Sequence, residues 1–167
     1  MNGNETSNLI DTFLRLKAKA AAGVAWSSEE QQMIDSALER ADPIGVLAAC
    51  CILASKVPSG SQQPLNTIIG SLESRLPGYV ELSVYEALIM VDDNRLRSFA
   101  NKLIPFIERT LNERAINLDN TITLIGKLAR SREKSCLELL RGLTLDSETG
   151  VREIASAILK DLEQDNH

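Results

Sequence analysis

Three cysteines, one histidine and several paired carboxylates are the side chains of this chain whose types and spacing could do chemistry. Cys50 and Cys51 are neighbours inside the apolar run Val46-Leu47-Ala48-Ala49-Cys50-Cys51-Ile52-Leu53-Ala54, and Cys136 opens a second apolar stretch. A reactive or metal-bound thiolate needs a positive or metal-bearing neighbourhood. Here the count is odd, no Cys-x-x-Cys occurs and the flanks are apolar, so the three read as small buried hydrophobes in a reducing compartment. The one histidine is His167, so neither a Ser-His-Asp or Cys-His arrangement nor a histidine metal site has an internal imidazole to use. The carboxylate pairs are Glu29 with Glu30, Asp92 with Asp93, and Asp161 with Glu163. Two carboxylates could serve a glycosidase only if folded to face one bond. Their positions in the chain suit helix starts, where negative charge complements the dipole. Asp92-Asp93-Asn94 lacks the alternating ligands and distal glutamate of a calcium loop, and no phosphate-loop, dinucleotide or His-Glu-x-x-His motif occurs. The residues therefore predict no catalytic group, no metal and no cofactor.

The elements that would position any site read as about nine helices, with no convincing strand. With 167 residues, an aromatic content of 4% and an apolar content of 44%, the core must be aliphatic, which suits close helix packing in a single domain spanning 1–167. The first helix runs from about Ser7 to Ala22 and ends at Gly23. Ser27 with Glu30 forms a capping box for the second, which runs to about Ala41. Asp42-Pro43 starts the third, an almost wholly apolar helix to about Lys56 that must be central. Pro58-Ser59-Gly60-Ser61 is a loop, and the fourth helix ends at Pro77-Gly78. The fifth spans about Val80 to Val91. The sixth begins after Asp92-Asp93-Asn94 and runs to about Asn112, with a kink or break expected at Pro105. The seventh spans Leu118 to Arg130, with Ile122, Ile125, Leu128 and Ala129 facing inward. The eighth spans Glu133 to Thr144, and the ninth follows Asp146-Ser147-Glu148-Thr149 and ends in the polar tail Gln164-Asp165-Asn166-His167. The longest apolar run, Ile44 to Ala54, is too short for a bilayer. Met1-Asn2-Gly3-Asn4-Glu5-Thr6 lacks the basic start and apolar centre of a signal peptide. The expected location is the cytoplasm, away from any membrane.

Two stretches repeat one pattern. Leu96, Arg97, Phe99, Ala100, Leu103, Ile104 and Ile107 match Val151, Arg152, Ile154, Ala155, Ile158, Leu159 and Leu162, and each set follows a shorter apolar helix and an acidic turn. The segment from Leu137 to Leu162, with Asp146 in its turn and Val151-Arg152 and Ala155 opening its second helix, resembles a HEAT repeat of the armadillo/HEAT superfamily. Val84 to Ile107 is similar, with Asp92, Leu96-Arg97 and Ala100 in the same places. Its turn is one residue shorter, and the two arginines lie 55 positions apart. The resemblance implies an all-α superhelix of stacked helical hairpins. An irregular helical bundle is the alternative that buries the same faces.

The net charge is −5, which disfavours a nucleic-acid binder, since neutralising phosphates takes a basic footprint. Residues 1–90 hold 6 basic and 10 acidic side chains and residues 91–167 hold 12 and 13, with eight of the 11 arginines in the second part. The expected function is a non-catalytic protein–protein interaction module of the adaptor, regulatory or scaffold type, its partner another protein that charge would favour as basic. An immunity- or antitoxin-type inhibitor of a basic toxin is a narrower version. A HEAT-like accessory subunit or lyase-type enzyme is the competing one, and would use the arginines around Arg95, Arg97, Arg130 and Arg132. If the repeats stack, the polar sides of their second helices place Arg97, Asn101 and Lys102 beside Arg152, Ser156 and Lys160 along one groove. The alternative use of the two arginines is structural, under their turns.

Overall fold

The computed structural model describes residues 3–55, 61–113, 118–131 and 133–164, with side chains from residue 6 onward. The expected loop residues Pro58, Ser59 and Gly60, the tail residues Asp165, Asn166 and His167, and Arg132 lie outside the described residues. The fold is all-α: among the described residues there are ten helices and no strand. They form two compact units, residues 1–90 and 91–167.

The first unit is built around its most apolar segment. It comprises α1 (Gly3–Ala21), α2 (Ser28–Leu38), α3 (Pro43–Ala54), α4 (Gln63–Ser71) and α5 (Gly78–Met90). α3 packs against each of the other four. Ile44 through Cys51 are all buried, as its unbroken apolar sequence demands. Both starts read from the sequence are present. Ser27 Oγ accepts from the Glu30 N–H at 3.2 Å while the Glu30 carboxylate accepts from the Ser27 N–H at 2.7 Å. Asp42 Oδ1 accepts from the Ile44 and Gly45 N–H groups, with Pro43 filling the first helical position. Gly23 takes the left-handed backbone, φ 74°, that closes α1. The Lys19 ammonium lies 2.5 Å from Glu30, and chiefly that hydrogen bond holds the Glu30 carboxyl below its ordinary range. Arg40 does the same for Asp42.

The second unit comprises α6 (Asp93–Arg97), α7 (Ala100–Glu113), α8 (Leu118–Arg130), α9 (Lys134–Leu143) and α10 (Thr149–Gln164). α8 holds the centre here, packing against α6, α7, α9 and α10. Ile122, Leu124, Ile125 and Leu128 are fully buried along it. A Cβ on Gly126 would stand 2.6 Å from Ile158 Cγ2, so this glycine sets how closely α10 approaches α8. Lys127 Nζ reaches Asp93 Oδ1 at 2.8 Å and ties α8 to the start of α6.

The interruption expected at Pro105 falls instead at Ser98-Phe99, and α7 continues through the proline. Ser98 Oγ donates to the Arg95 carbonyl at 2.7 Å and the Phe99 N–H to the Leu96 carbonyl at 2.9 Å, so the chain tightens and stops there. Pro105 then deprives only the carbonyl of Asn101, an exposed residue in the first turn of α7 where water can reach it. The fourth helix also ends early, at Ser71 rather than near Pro77. The Ser71 hydroxyl bonds back to the Ile68 carbonyl at 2.7 Å, and Leu72 and Ser74 donate to carbonyls three residues back. Leu72 and Leu76 stay buried outside the helix.

Candidate functional site

Cys50, Cys51 and Cys136 are unpaired and fully buried. Burial pushes the Cys51 and Cys136 thiols up to about 12, and Cys50 is raised as well. Cys51 Sγ donates to the Phe13 carbonyl at 3.4 Å. A serine–lysine contact that the sequence did not suggest joins α1 to α5: Lys17 Nζ donates to Ser83 Oγ at 3.0 Å. A serine nucleophile activated by lysine needs a neutral amine and access to substrate. Here Glu86 forms an ion pair with the ammonium, and Ser83 is 1% exposed. The contact is a part-buried bridge between helices. No cluster of three or more His, Cys, Asp or Glu suited to a metal occurs among the described residues.

The six residues expected to line a groove are all in the second unit. Arg97 is the last residue of α6, exposed, and Asn101 and Lys102 stand exposed in the first turn of α7. The break at Ser98-Phe99 separates Arg97 from the other two, so they do not share one helical face. Arg152, Ser156 and Lys160 do share one, on successive turns of α10. Ser156 and Lys160 are exposed, while Arg152 folds back under its own turn. Its guanidinium donates to the Asp146 carbonyl at 2.7 Å, the Ser147 carbonyl at 2.9 Å and Thr149 Oγ1 at 2.8 Å. Asp146 Oδ1 in turn accepts from the Glu148 N–H at 2.9 Å. Asp92 caps α6 through the Asn94 and Arg95 N–H groups. Of the wider arginine set, Arg95 is half-buried on α6 and Arg130 is exposed at the end of α8. Arg152→Ala is therefore expected to cost the second unit about 1 kcal/mol, the worth of a lost hydrogen-bonded turn. Arg97→Ala should stay within about 0.5 kcal/mol. Urea unfolding of the two variants followed by circular dichroism checks both values.

A different surface of this unit has the shape of a binding site. The last turns of α7, the start of α8, one side of α9 and the start of α10 enclose a groove of about 710 Å³. Leu111, Leu118, Leu139, Leu143 and Val151 supply its apolar floor, and Glu108, Glu138 and Asp146 its carboxylates. No basic side chain lines it among the described residues. Arg109, beside Glu108 in the chain, lays its guanidinium over the Phe106 ring at 5.3 Å. Two faces of α9 explain the groove. Cys136 and Leu140 are buried toward the core, while Ser135, Glu138, Leu139, Gly142 and Leu143, at helical spacing, line the open side. Leu139 and Leu143 are half-buried, and Leu145 just beyond them is 85% exposed.

No protein-family profile matches the chain, and neither the curated proteins nor the solved structures yield a match.

Proposed function

We propose that the chain is a non-catalytic protein-binding module and that the groove of the second unit receives a basic amphipathic helix of its partner. One observation carries the reading: an apolar floor of four leucines and a valine, bordered by three carboxylates and no described basic residue. A helix laid in such a groove buries apolar anchors at i, i+3, i+4 and i+7 spacing, while its lysines or arginines meet the acidic border. The overall charge of −5 favours the same partners by long-range attraction. HEAT-like pairing of α9 with α10 remains the proposed relationship of this segment, with Arg152 bracing its own turn. The absence of catalysis is proposed on the burial of the three thiols and of Ser83. A reducing cytoplasm suits three unpaired thiols, and no described helix is long and apolar enough to cross a membrane. An immunity- or antitoxin-type role, in which the bound basic helix belongs to a toxin, draws on the same three carboxylates.

A photoreactive phenylalanine analogue placed at Leu139, with Ser156 as the control position, tests the reading in lysate of the native cell. The expected result is one protein joined through position 139, by a segment rich in lysine or arginine, and no adduct through position 156. Adducts through 156 alone, or an acidic joined segment, would contradict it.

A further inference from the structure

A second cleft, of about 560 Å³, lies within the first unit between the end of α1, one face of α2, the end of α3 and the start of α4. Its size falls in the range of small-molecule sites, roughly 300–1,000 Å³. Its walls are mainly apolar: Ala20, Val24, Leu38 and Ile52 face it. Val24 is 52% exposed, an open apolar surface at the mouth. Gln31, Ser55, Ser61 and Gln63 add polar groups, and two further lining residues, an indole and a carboxylate, could meet a cation. Trp26, the chain's single tryptophan, donates its indole N–H to the Leu16 carbonyl at 3.1 Å, which anchors the ring. Asp35 accepts from the Gln31 side-chain amide at 2.8 Å and is the one charged residue among the described lining residues. Lys19, the cation near this end of α1, is held by Glu30. An anchored indole and a carboxylate lining one mainly apolar cleft form the usual surroundings of an organic ammonium, which the ring attracts by its quadrupole and the carboxylate by its charge.

We propose that this cleft binds a small apolar molecule bearing one ammonium group, with the apolar body against Val24, Leu38 and Ile52 and the ammonium between Trp26 and Asp35. The site is separate from the protein-binding groove and does not depend on it. Trp26 reports on its own site, since no other tryptophan contributes to the emission. The full chain is titrated at neutral pH with phenethylammonium, with its neutral counterpart 2-phenylethanol and with the anion phenylacetate, and indole fluorescence is read alongside calorimetry. Saturable binding of the ammonium at least about tenfold tighter than of the alcohol, with no binding of the anion, is expected. Asp35→Asn should weaken the ammonium by at least about fivefold and leave the alcohol unchanged. Asp35 is exposed, so the variant should melt as the wild type does. Equal affinity for ammonium and alcohol, a preference for the ammonium that survives Asp35→Asn, or no saturable response to any probe up to about 10 mM would each overturn the assignment.

Discussion

Gly45→Ala is expected to destabilise the first unit by about 3 kcal/mol or more, enough to unfold much of it at ordinary temperature. A Cβ built on Gly45 would stand 1.9 Å from the Arg40 carbonyl oxygen, 2.9 Å from the Arg40 carbonyl carbon and 3.1 Å from the Ala37 carbonyl oxygen. All three are backbone atoms, two in the connection from α2 to α3 and one in the last turn of α2, so no side chain can turn aside to make room. Accepting a methyl group means moving the end of α2 away from the first turn of α3, on which the whole unit packs. Alanine's helix propensity returns only about 1 kcal/mol. Gly70, in the last turn of α4 with nothing within 4 Å of a built Cβ, is the control. Gly70→Ala should leave stability unchanged or raise it by up to about 1 kcal/mol. Urea unfolding followed through Trp26, which lies in this unit, separates the two outcomes. Equal midpoints for Gly45→Ala and wild type would show that α2 and α3 do not meet this closely.

The three buried thiols predict a steep loss of stability in alkali. Each has a folded-state value raised above its ordinary 9.0, with Cys51 and Cys136 at about 12. Between those limits the unfolded chain loses its thiol protons first, so the folded state holds more protons and stability falls as pH rises. The contribution is complete below about pH 9 and declines toward the folded-state values, with a limiting slope of about 1.4 kcal/mol per pH unit for each thiol. The first unit, with Cys50 and Cys51, should therefore lose up to about 2.7 kcal/mol per pH unit, and the second, with Cys136, about half of that. The Cys50→Ala/Cys51→Ala variant should have a flatter alkaline profile than wild type even though its stability at pH 7 is lower. The thiols should also stay unmodified by a disulfide reagent until the chain unfolds. Parallel pH profiles for variant and wild type, or fast labelling of the native chain, would contradict the burial of these groups.

Much of the local architecture was legible because it depends on residues close in sequence. Ser27 with Glu30 and Asp42 with Pro43 mark helix starts through contacts three positions long, and both are present. α8 has the bounds its periodicity gave, and the apolar run in α3 announced its central place. The interruption lies ahead of Pro105 because the Ser98 hydroxyl takes the Arg95 carbonyl and ends α6 first. The site was less legible, for two physical reasons. Arg152 could serve a groove or its own turn by type and spacing, and its three hydrogen bonds place it in the turn. α9 carries apolar residues on two faces, Cys136 with Leu140 and Leu139 with Leu143. Its sequence cannot say which pair meets the core, because that depends on where α8 and α10 lie. An apolar arc wider than one buried face was the signal available.

The most direct test of binding through the acid-bordered groove is the partner's affinity for wild type, for Leu139→Asp and for Glu108→Lys/Glu138→Lys. The partner is the protein joined at position 139, and calorimetry is run at about 50 mM and about 500 mM salt. Both variants alter half-buried or exposed positions, so their melting should match wild type. Leu139→Asp is expected to cost about 2 kcal/mol of binding or more, roughly 30-fold. The charge reversal should weaken binding by at least about tenfold at low salt and by less at high salt, where the attraction is screened. Unchanged affinity in both correctly folded variants would contradict binding through this groove.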